Sequence, residues 1–372
     1  MEKYVGLFKN NSIVAANITH SSIQYEALSR GMVVSIKNKD SIDFKKYGYV
    51  TDEIGRVFEI SDYNKKYLFN TSRLLNLGNI NSKAKALKKE NLAKTLKDND
   101  FNFINTLKFT TKNEVNASLI LDTLNVPLVV KPVNGTMGKG VYCDLKNKDE
   151  LIEAIAKQNS DYMVEEYISN SDEYRVYTIN SKVVALCKRL APTVTGNGIS
   201  SIEELVLEKN KKRSKIKLSS IKLNPTLDIT YIPKQDEKII LSLVKGRSSG
   251  SEIQIIKNGI DLGILSEIER FASLFKENFV LGFDILVKNN SLYILEINTR
   301  PQISSAILPD IGDGVDFPKV LLDSLFGVSS SSNIDFSTFY KAYKSIIKTI
   351  DIEWEEIQCQ VVNGVLETKI IV

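Results

Sequence analysis

The sequence is poor in the side chains that most often carry enzyme chemistry. Its 372 residues include one histidine, His20, and three cysteines that lie far apart. A lone histidine in an early turn is more often structural than catalytic, which disfavours a Ser-His-Asp triad or a Cys-His pair, and one histidine cannot form a histidine-rich metal site. The cysteine spacing gives neither a disulfide framework nor a CxxC metal knuckle. Any catalysis must therefore rely on lysines, arginines, carboxylates and backbone amides.

Strong charge bias and long apolar runs are also missing. The 49 basic and 45 acidic side chains leave a formal net charge of +4, which is too balanced to indicate a nucleic-acid partner. No apolar run approaches the roughly 18 residues of a membrane-spanning helix, and the first residues lack the apolar core of a signal peptide. We therefore expect no nucleic-acid partner, no membrane association and a location in the reducing cytoplasm.

Short apolar strands alternate with helical patterns along the chain, which favours an α/β or α+β fold. The length is that of roughly two domains of about 150 residues each. Near the start, the helical stretch SIQYEALSRG stands between the apolar stretches YVGLF and MVVSI, which predicts a small βαβ-like unit. Ser201 and Glu204 have the spacing of a capping box and predict a helix start.

Three two-residue turns predict three β-hairpins. They are Asn180-Ser181, Asn289-Asn290 and Asn363-Gly364, each flanked by apolar strand patterns. The serine-rich stretch SSSSN at 329–333 reads as a linker to the last of these hairpins.

The stretch LVVKPVNGTMGKGV has the glycine density of a phosphate-binding loop. It is not a Walker loop, because Gly135 and Gly140 have the required spacing but Val141 stands where lysine is needed. The dinucleotide fingerprint fails at Cys143, and Lys131 precedes the loop whereas the kinase lysine follows it. Two readings remain, a lysine delivered to a phosphate pocket under a flexible loop, or a glycine-rich hairpin turn.

The hairpin around Asn289-Asn290 carries a candidate metal site. Strand alternation places Leu292, Ile294, Glu296 and Asn298 on one face, and the turn brings Asp284 close to the last two. Oxygen ligands of this kind suit Mg²⁺, which binds one or two carboxylates together with substrate phosphates. The alternative is a polar, outward-facing end of an edge hairpin.

Together these segments resemble the ATP-grasp superfamily over roughly residues 80–325. The motifs, in order, are VVKPVNGTMGKGV, YMVEEYI, DEYRV, CKRLAPTVTGNGISSIEELV, FDILV and LEINTRP. Within the superfamily they are most similar to the ATP-grasp modules of cyanophycin synthetase and of the fused bacterial glutathione synthetase. The resemblance implies four parts: a pre-grasp α/β domain at 1–80, an ATP-binding subdomain with the glycine loop at 81–170, a catalytic grasp subdomain at 171–328 and a C-terminal appendix at 334–372.

The resemblance also implies a nucleotide site. In it, Lys89 and Lys131 would bind phosphates, Glu173 would hold the ribose, and the hinge of the two grasp subdomains would hold the adenine. Lys88 and Asp172 are the alternatives to Lys89 and Glu173. The lid over the triphosphate would be formed by Gly135, Thr136, Met137, Gly138 and Lys139. The hinge would be formed by Glu165, Glu166, Tyr167 and Ile168.

For catalysis, the resemblance implies that Arg175, Arg189 and Arg300 face the transferring phosphate or a substrate carboxylate. Asp284, Glu296 and Asn298 would bind two Mg²⁺ ions, with Mn²⁺ as the alternative metal. The implied reaction is ATP-dependent amide formation between a carboxylate and an amine through an acyl phosphate, with ADP and phosphate released. A peptide or other anionic carboxylate and an amino acid are the expected substrates, and a homodimer is one candidate oligomer.

Two other functions stay open. One is a different ATP-grasp reaction, either carboxylation or phosphorylation of a small metabolite, and the other is ATP binding without catalysis. One segment departs from the relatives: LVKGRSSGSEI at 243–253 stands where they have an asparagine-led, double-glycine loop. We expect this loop to close on the site nonetheless, with Lys245 and Arg247 as its basic residues.

Overall fold

The computed structural model describes most of the chain. The described residues are 18–47, 54–75, 88–110, 117–135, 138–215, 220–224, 227–247, 250–332, 335, 345 and 353–372. The predicted first strand YVGLF lies outside these ranges, as do the lid residues Thr136 and Met137. Within the described ranges, no helix combines the length and apolar character needed to cross a bilayer.

The first sheet has six strands in the order β17-β16-β1-β2-β3-β4, and every neighbouring pair is antiparallel. Its strands are β1 (Val33–Lys37), β2 (Val57–Ser61), β3 (Lys66–Asn70), β4 (Arg73–Leu74), β16 (Glu356–Val362) and β17 (Val365–Ile371). The helices of this part of the chain are α1 (Ile18–Ser29) and α2 (Ile42–Tyr47), and α1 is buried along its whole length. The C-terminal hairpin on Asn363-Gly364 thus forms as predicted, and it pairs with β1 near the start of the chain.

The second sheet has four strands in the order β5-β8-β6-β7. They are β5 (Thr106–Phe109), β6 (Leu128–Pro132), β7 (Tyr142–Leu145) and β8 (Tyr162–Glu166). The helices before and between them are α3 (Lys89–Lys97), α4 (Ala117–Thr123) and α5 (Lys148–Ala156). Helix α5 begins at Asn147, whose side chain accepts a hydrogen bond from the Glu150 N–H. The glycine loop connects β6 to β7 and therefore lies at one end of this sheet.

The third sheet has five strands in the order β13-β10-β9-β14-β15. They are β9 (Asp172–Ile179), β10 (Lys182–Leu190), β13 (Glu252–Ile255), β14 (Val280–Lys288) and β15 (Ser291–Asn298). Both turns have the positive φ angles at two successive residues that a type I′ hairpin needs: 48° and 62° at Asn180-Ser181, and 48° and 59° at Asn289-Asn290. The β9–β10 and β14–β15 hairpins are therefore specified by the residues of their turns.

The remaining elements cover or extend the third sheet. They are β11 (Thr193–Thr195), α6 (Ile202–Lys215), β12 (Lys238–Ile240), α7 (Leu262–Ser273), α8 (Ser304–Ile307) and α9 (Phe317–Phe326). The predicted capping box starts α6: the Ser201 N–H donates to Glu204 Oε2 (2.9 Å) and the Glu204 N–H donates to Ser201 Oγ (3.3 Å). One core joins α3 and α7 to one face of the sheet, and a second core joins α1, α8 and α9 to the other face.

Candidate active site

A row of charged side chains crosses four strands of the third sheet. Asp284 on β14 stands opposite Arg175 on β9 and opposite Glu296 on β15, while Glu173 on β9 stands opposite Arg189 on β10. Directly opposed residues have Cβ atoms about 5 Å apart, so their side chains interact. The sheet register thus gathers residues that lie more than 120 positions apart along the chain.

The arginines and carboxylates of this row form a connected ion-pair cluster. Asp284 Oδ1 lies 2.9 Å from Arg175 Nε and 2.8 Å from Arg189 Nη2. On its other side, Arg189 Nη1 lies 2.6 Å from Glu173 Oε1. Arg175 Nη1 is buried and has no hydrogen-bond partner among the described residues, so the cluster contains an unsatisfied donor.

Burial and mutual attraction both act on the protonation of this cluster. Burial raises the pKa of Glu173, and the neighbouring Arg189 guanidinium only partly offsets that rise. Burial by itself would lower the pKa of Arg189, but the carboxylates of Asp284 and Glu173 raise it above its ordinary value. The arginine is therefore a permanent cation, and it is the group that keeps Glu173 from a still higher pKa.

One sequence prediction about β15 is wrong. The β14–β15 register shifts between Asp284 and Ile285, which leaves Leu295 as an extra residue in β15. Because of this bulge, Ile297 packs in the same core as Leu292 and Ile294. Glu296 therefore lies on the opposite face from Leu292 and Ile294, where it joins the charged row.

The residues predicted as metal ligands lie on one face of the third sheet. Asp284 and Glu296 stand opposite each other, and Asn298 lies two residues beyond Glu296 on the same face. The Asn298 Oδ1 accepts a hydrogen bond from the Arg300 N–H at 2.9 Å, which orients the carboxamide. No group of three or more histidine, cysteine or acidic residues suited to a metal occurs in the described part of the chain. Phosphate oxygens would therefore have to supply further ligands.

The packing of the site requires a glycine at position 282, and the sequence analysis did not predict this requirement. It lies opposite Asn298, and a Cβ atom at this position would meet Pro301 Cβ at 2.7 Å and Arg175 Nη1 at 3.2 Å. Only a residue without a side chain lets the backbone and the Arg175 guanidinium approach so closely.

We therefore expect Gly282→Ala to disturb the site and the fold together. Overpacking of this kind costs about 1–3 kcal/mol, so the urea midpoint of unfolding should fall. Any ATP-dependent activity should fall more than the loss of folded protein explains, because Arg175 is displaced. An alanine variant with wild-type stability would show that Pro301 and Arg175 have room to move.

Lys131 and Glu165 line a cleft between the second and third sheets. Lys131 Nζ lies 2.5 Å from Glu165 Oε2 across the neighbouring strands β6 and β8. The cavity in this cleft is small, with a volume of about 20 Å³. It is further lined by Leu92, Ala93, Leu96, Ile104, Thr106, Ile294 and Leu295. Helix α3, which begins at the predicted nucleotide lysine Lys89, thus forms one wall, although the Lys89 side chain lies outside the described part.

The predicted hinge leaves the second sheet at Glu166. Its carboxylate accepts hydrogen bonds from the Asn125 N–H (3.1 Å) and from the Asn105 side chain (3.2 Å). The Tyr167 N–H donates to the Pro127 carbonyl at 2.8 Å. Ile168 accepts a hydrogen bond from Ser171 Oγ at 2.7 Å, which shapes the turn into β9. These contacts hold the hinge in place, and its predicted role toward adenine stays a prediction.

The structure separates the two candidates for the ribose carboxylate. Asp172 Oδ2 lies 2.7 Å from Lys188 Nζ. Lys188 precedes Arg189 on β10, so its side chain lies on the opposite face of the sheet. Glu173 lies in the charged row, and Lys245 is close enough to lower its pKa. The Lys245 ammonium donates to the Ser171 carbonyl at 3.3 Å. Of the two candidates, Glu173 is therefore the one that joins the charged row, and Lys245 of the 243–253 loop lies near it.

The described part of the lid has the geometry that its glycines permit. Gly138 and Gly140 have φ angles of 65° and 70°, in the region that favours glycine. The Gly140 carbonyl accepts a hydrogen bond from the Gln158 side chain at 3.0 Å, and Lys139 between the two glycines is exposed. Gly135 remains close to Pro132 at the end of β6.

Arg300 ties the site to the first sheet. Its Nη1 donates to Asn70 Oδ1 at 2.9 Å, and the Ser72 hydroxyl donates to the Pro301 carbonyl at 2.7 Å. Arg247 of the 243–253 loop donates to the Leu308 carbonyl at 2.8 Å. The segment after β15 is therefore tied to the first sheet, and the 243–253 loop is tied to the segment after α8.

Cys143 on β7 is a second residue that sequence reasoning missed at this site. It is only partly buried as a residue, whereas Cys187 and Cys359 are buried. Burial raises the pKa of its thiol to about 12; Glu173 also raises it, and Lys131 opposes the rise. The thiol of Cys143 therefore lies near Lys131, which lines the cleft, and near Glu173. The sequence signal that could have identified Cys143 is its position on an alternating strand shortly after the glycine loop.

If nucleotide occupies this cleft, Mg·ATP should protect Cys143 from a maleimide. Labelling should be slow even without ATP, because burial raises the pKa of this thiol and leaves little of the reactive thiolate. Peptide mass spectrometry measures the modified fraction, with Cys187 and Cys359 as internal controls that stay unlabelled. Equal labelling of Cys143 with and without saturating Mg·ATP would argue against nucleotide in the cleft.

Comparison with known proteins finds a family match for part of the chain. Residues 83–242 match a RimK-like ATP-grasp domain. Cyanophycin synthetase of Geminocystis herdmanii is 27% identical over 59% of this chain and 28% of its own length. The glutathione biosynthesis bifunctional protein GshAB of Clostridium perfringens is 29% identical over 54% of this chain and 29% of its own length. The chain thus spans less than a third of these curated relatives.

Among solved structures, the bifunctional glutathione synthetase of Pasteurella multocida is similar with a TM-score of 0.55 at 17% identity. The likeness covers 86% of this chain and 44% of that protein, and at this identity it concerns the fold. The fold and the family predicted from the motifs are therefore confirmed. The ATP-grasp match covers residues 83–242, where the chain is similar to a RimK-like ATP-grasp domain.

Proposed function

We propose that this protein is an ATP-dependent carboxylate–amine ligase. The observation that carries the proposal is the charged row on the third sheet, where Asp284 and Glu296 stand opposite each other beside Arg175 and Arg189. Such an arrangement suits phosphoryl transfer, which needs positioning and charge stabilisation rather than a protein nucleophile. The relatives, which are named for cyanophycin and glutathione synthesis, support a ligase rather than a carboxylase or a kinase.

In the proposed reaction, a substrate carboxylate attacks the γ-phosphate of ATP, which forms an acyl phosphate and releases ADP. Arg175 and Arg189 offer guanidinium donors to the oxygens that gain charge in this step. An amine then attacks the acyl carbon, the carbon–oxygen bond to phosphate breaks, and phosphate leaves as the amide forms. The glycine loop between β6 and β7 would exclude water, so that the intermediate reacts with the amine.

Asp284, Glu296 and Asn298 would hold Mg²⁺, or Mn²⁺ in its place, as two ions in our proposal. When bound, the metal neutralises charge on the phosphate oxygens. Lys131 would hold phosphate as a point charge once it leaves Glu165, and Glu173 would accept hydrogen bonds from the ribose. Arg300, held by Asn70, would orient a substrate carboxylate with its fork of donors.

We further propose that the carboxylate substrate is anionic beyond its reacting group, such as a peptide or polycarboxylate. Lys245 and Arg247 contribute two cations in the 243–253 loop. The three cysteines are free thiols, in keeping with the cytoplasmic location predicted from the sequence.

A phosphate-release screen tests the proposed reaction. Pairs of amino acids, peptides and dicarboxylates are incubated with Mg·ATP, and the products are identified by mass spectrometry. A ligase releases ADP and phosphate only when carboxylate and amine are both present, and the product is lighter by one water than the sum of the pair. ADP release without an amine would indicate a kinase, and dependence on bicarbonate would indicate a carboxylase.

A further inference from the structure

The last strand of the chain, β17, forms an edge of the first sheet. It pairs with β16 on one side, and no strand in the described part of the chain pairs with its outer side. Val365, Glu367, Thr368 and Lys369 are exposed, and Ile370 is 38% exposed. An exposed edge strand is a template for pairing with another strand.

The direction of the peptide groups of β17 follows from its hairpin. A two-residue turn at Asn363-Gly364 makes its flanking residues, Val362 and Val365, a hydrogen-bonded pair. The Ile371 carbonyl accepts a hydrogen bond from the Glu355 N–H at 2.8 Å, so it too points toward β16. Odd-numbered residues therefore face β16. The even-numbered residues direct their N–H and C=O groups to the outer edge.

The side-chain order of β17 is self-complementary about Thr368. The sequence VLETKII has Glu367 and Lys369 on either side of this threonine, and Leu366 and Ile370 one step further out. In an antiparallel pair of two identical strands centred on Thr368, Glu367 stands opposite Lys369 of the partner subunit, twice by symmetry. Such a pair would form about six main-chain hydrogen bonds through the outward-facing even-numbered residues.

Other registers match less well. Centring the pair on Glu367 or on Lys369 places like charges directly opposite each other, which is destabilising. Centring it on Leu366 or Ile370 leaves both charges without an opposite partner and shortens the overlap. Only the Thr368 centre combines outward hydrogen-bonding groups, two opposite-charge pairs and the full length of the strand.

The same register also buries apolar surface. Ile370 and Leu366 stand opposite Ile357 and Val361 on β16, so they lie on the face of the sheet that carries the core. In the two-fold pair, Leu366 of each copy stands opposite Ile370 of the other copy. The charged residues lie on the opposite face, where they pair in solvent.

We propose that two copies of this chain associate through β17, in a two-fold antiparallel pair centred on Thr368. The two six-stranded sheets then form one continuous sheet across the interface. This inference is independent of the proposed ligase function, because none of these residues belongs to the candidate active site.

Charge exchange tests the register directly. Glu367→Lys puts lysine opposite lysine, and Lys369→Glu puts glutamate opposite glutamate, so each single variant should raise the dimer dissociation constant about tenfold or more. The double variant, Glu367→Lys with Lys369→Glu, restores both pairs and should dimerise like the wild type. A mixture of the two single variants should form a heterodimer, because every opposed pair is then of opposite charge.

Sedimentation velocity over about 1–100 μM, at low and at high salt, measures these states, and far-UV circular dichroism checks that each variant is folded. The proposal predicts dimers for the wild type, the double variant and the mixture, and a weaker wild-type dimer at high salt. A wild type that stays monomeric throughout overturns it. A dimer that ignores both single substitutions overturns it as well, since the interface must then lie elsewhere.

Discussion

Glu296→Gln is expected to abolish ATP-dependent amide formation, with a loss of about 10³-fold or more in turnover, while leaving the fold intact. The substitution removes one of the two carboxylates that stand opposite each other at the proposed metal site. Loss of a charge contact made in the transition state typically costs about 3–4 kcal/mol. The fold should survive, because Glu296 is only partly buried and glutamine has nearly the same shape.

The measurement is ADP release under saturating Mg·ATP, combined with urea unfolding of the same samples. Glu153→Gln is a matched control, since its carboxylate lies on the exposed surface of α5 and pairs with Lys157. The control should retain wild-type turnover. Full activity in the Glu296 variant would refute the metal assignment, whatever the fate of the other predicted ligands.

Arg189→Met should be the most destabilising single substitution in the charged row. It leaves Glu173 without its partner and Asp284 with Arg175 alone. Breaking a buried ion pair by removing one member typically costs about 3–5 kcal/mol, because the remaining charge stays buried. Urea unfolding should register a fall of this size in the free energy of unfolding.

The pH dependence of that loss has a definite sign. Burial already raises the pKa of Glu173, and removing Arg189 removes the main group that lowers it. A group with a raised pKa in the folded state gives stability at low pH that is lost as the pH rises through that value. The loss in the free energy of unfolding caused by Arg189→Met should therefore be smaller at pH 5 than at pH 8.

Two further variants separate this explanation from general damage to β10. Lys188→Met changes the neighbouring residue, whose half-exposed pair with Asp172 lies on the other face, and should cost less than about 1 kcal/mol. Adding Glu173→Gln to Arg189→Met removes the stranded carboxylate and should recover part of the lost stability. No recovery in this double variant would mean that packing, not charge, explains the effect.

Local chemistry made much of this fold predictable from sequence. The turns at Asn180-Ser181, Asn289-Asn290 and Asn363-Gly364 and the Ser201–Glu204 capping box depend on residues within a few positions of each other. All of them occur as predicted. The order of motifs likewise sufficed for the fold and the family.

The features that could not be predicted from the sequence depend on pairing between distant segments of the chain. The bulge at Leu295 depends on how β15 meets β14, and it moved Glu296 to the face opposite the predicted one. The pairing of β16 with β1 joins segments more than 300 residues apart, which no local pattern signals. The contact between Gly282 and Arg175 and the position of Cys143 also exist only in the assembled sheet packing. The roles of the individual site residues and the four-part domain division stay predictions.

The central claim, that a substrate carboxylate is activated as an acyl phosphate, is tested most directly by oxygen transfer. The carboxylate identified in the screen is labelled with ¹⁸O and incubated with Mg·ATP and its amine, and the released phosphate is analysed by mass spectrometry. Our account predicts one ¹⁸O atom in each phosphate released from doubly labelled carboxylate. Phosphate without ¹⁸O, released while the amide forms, would contradict it.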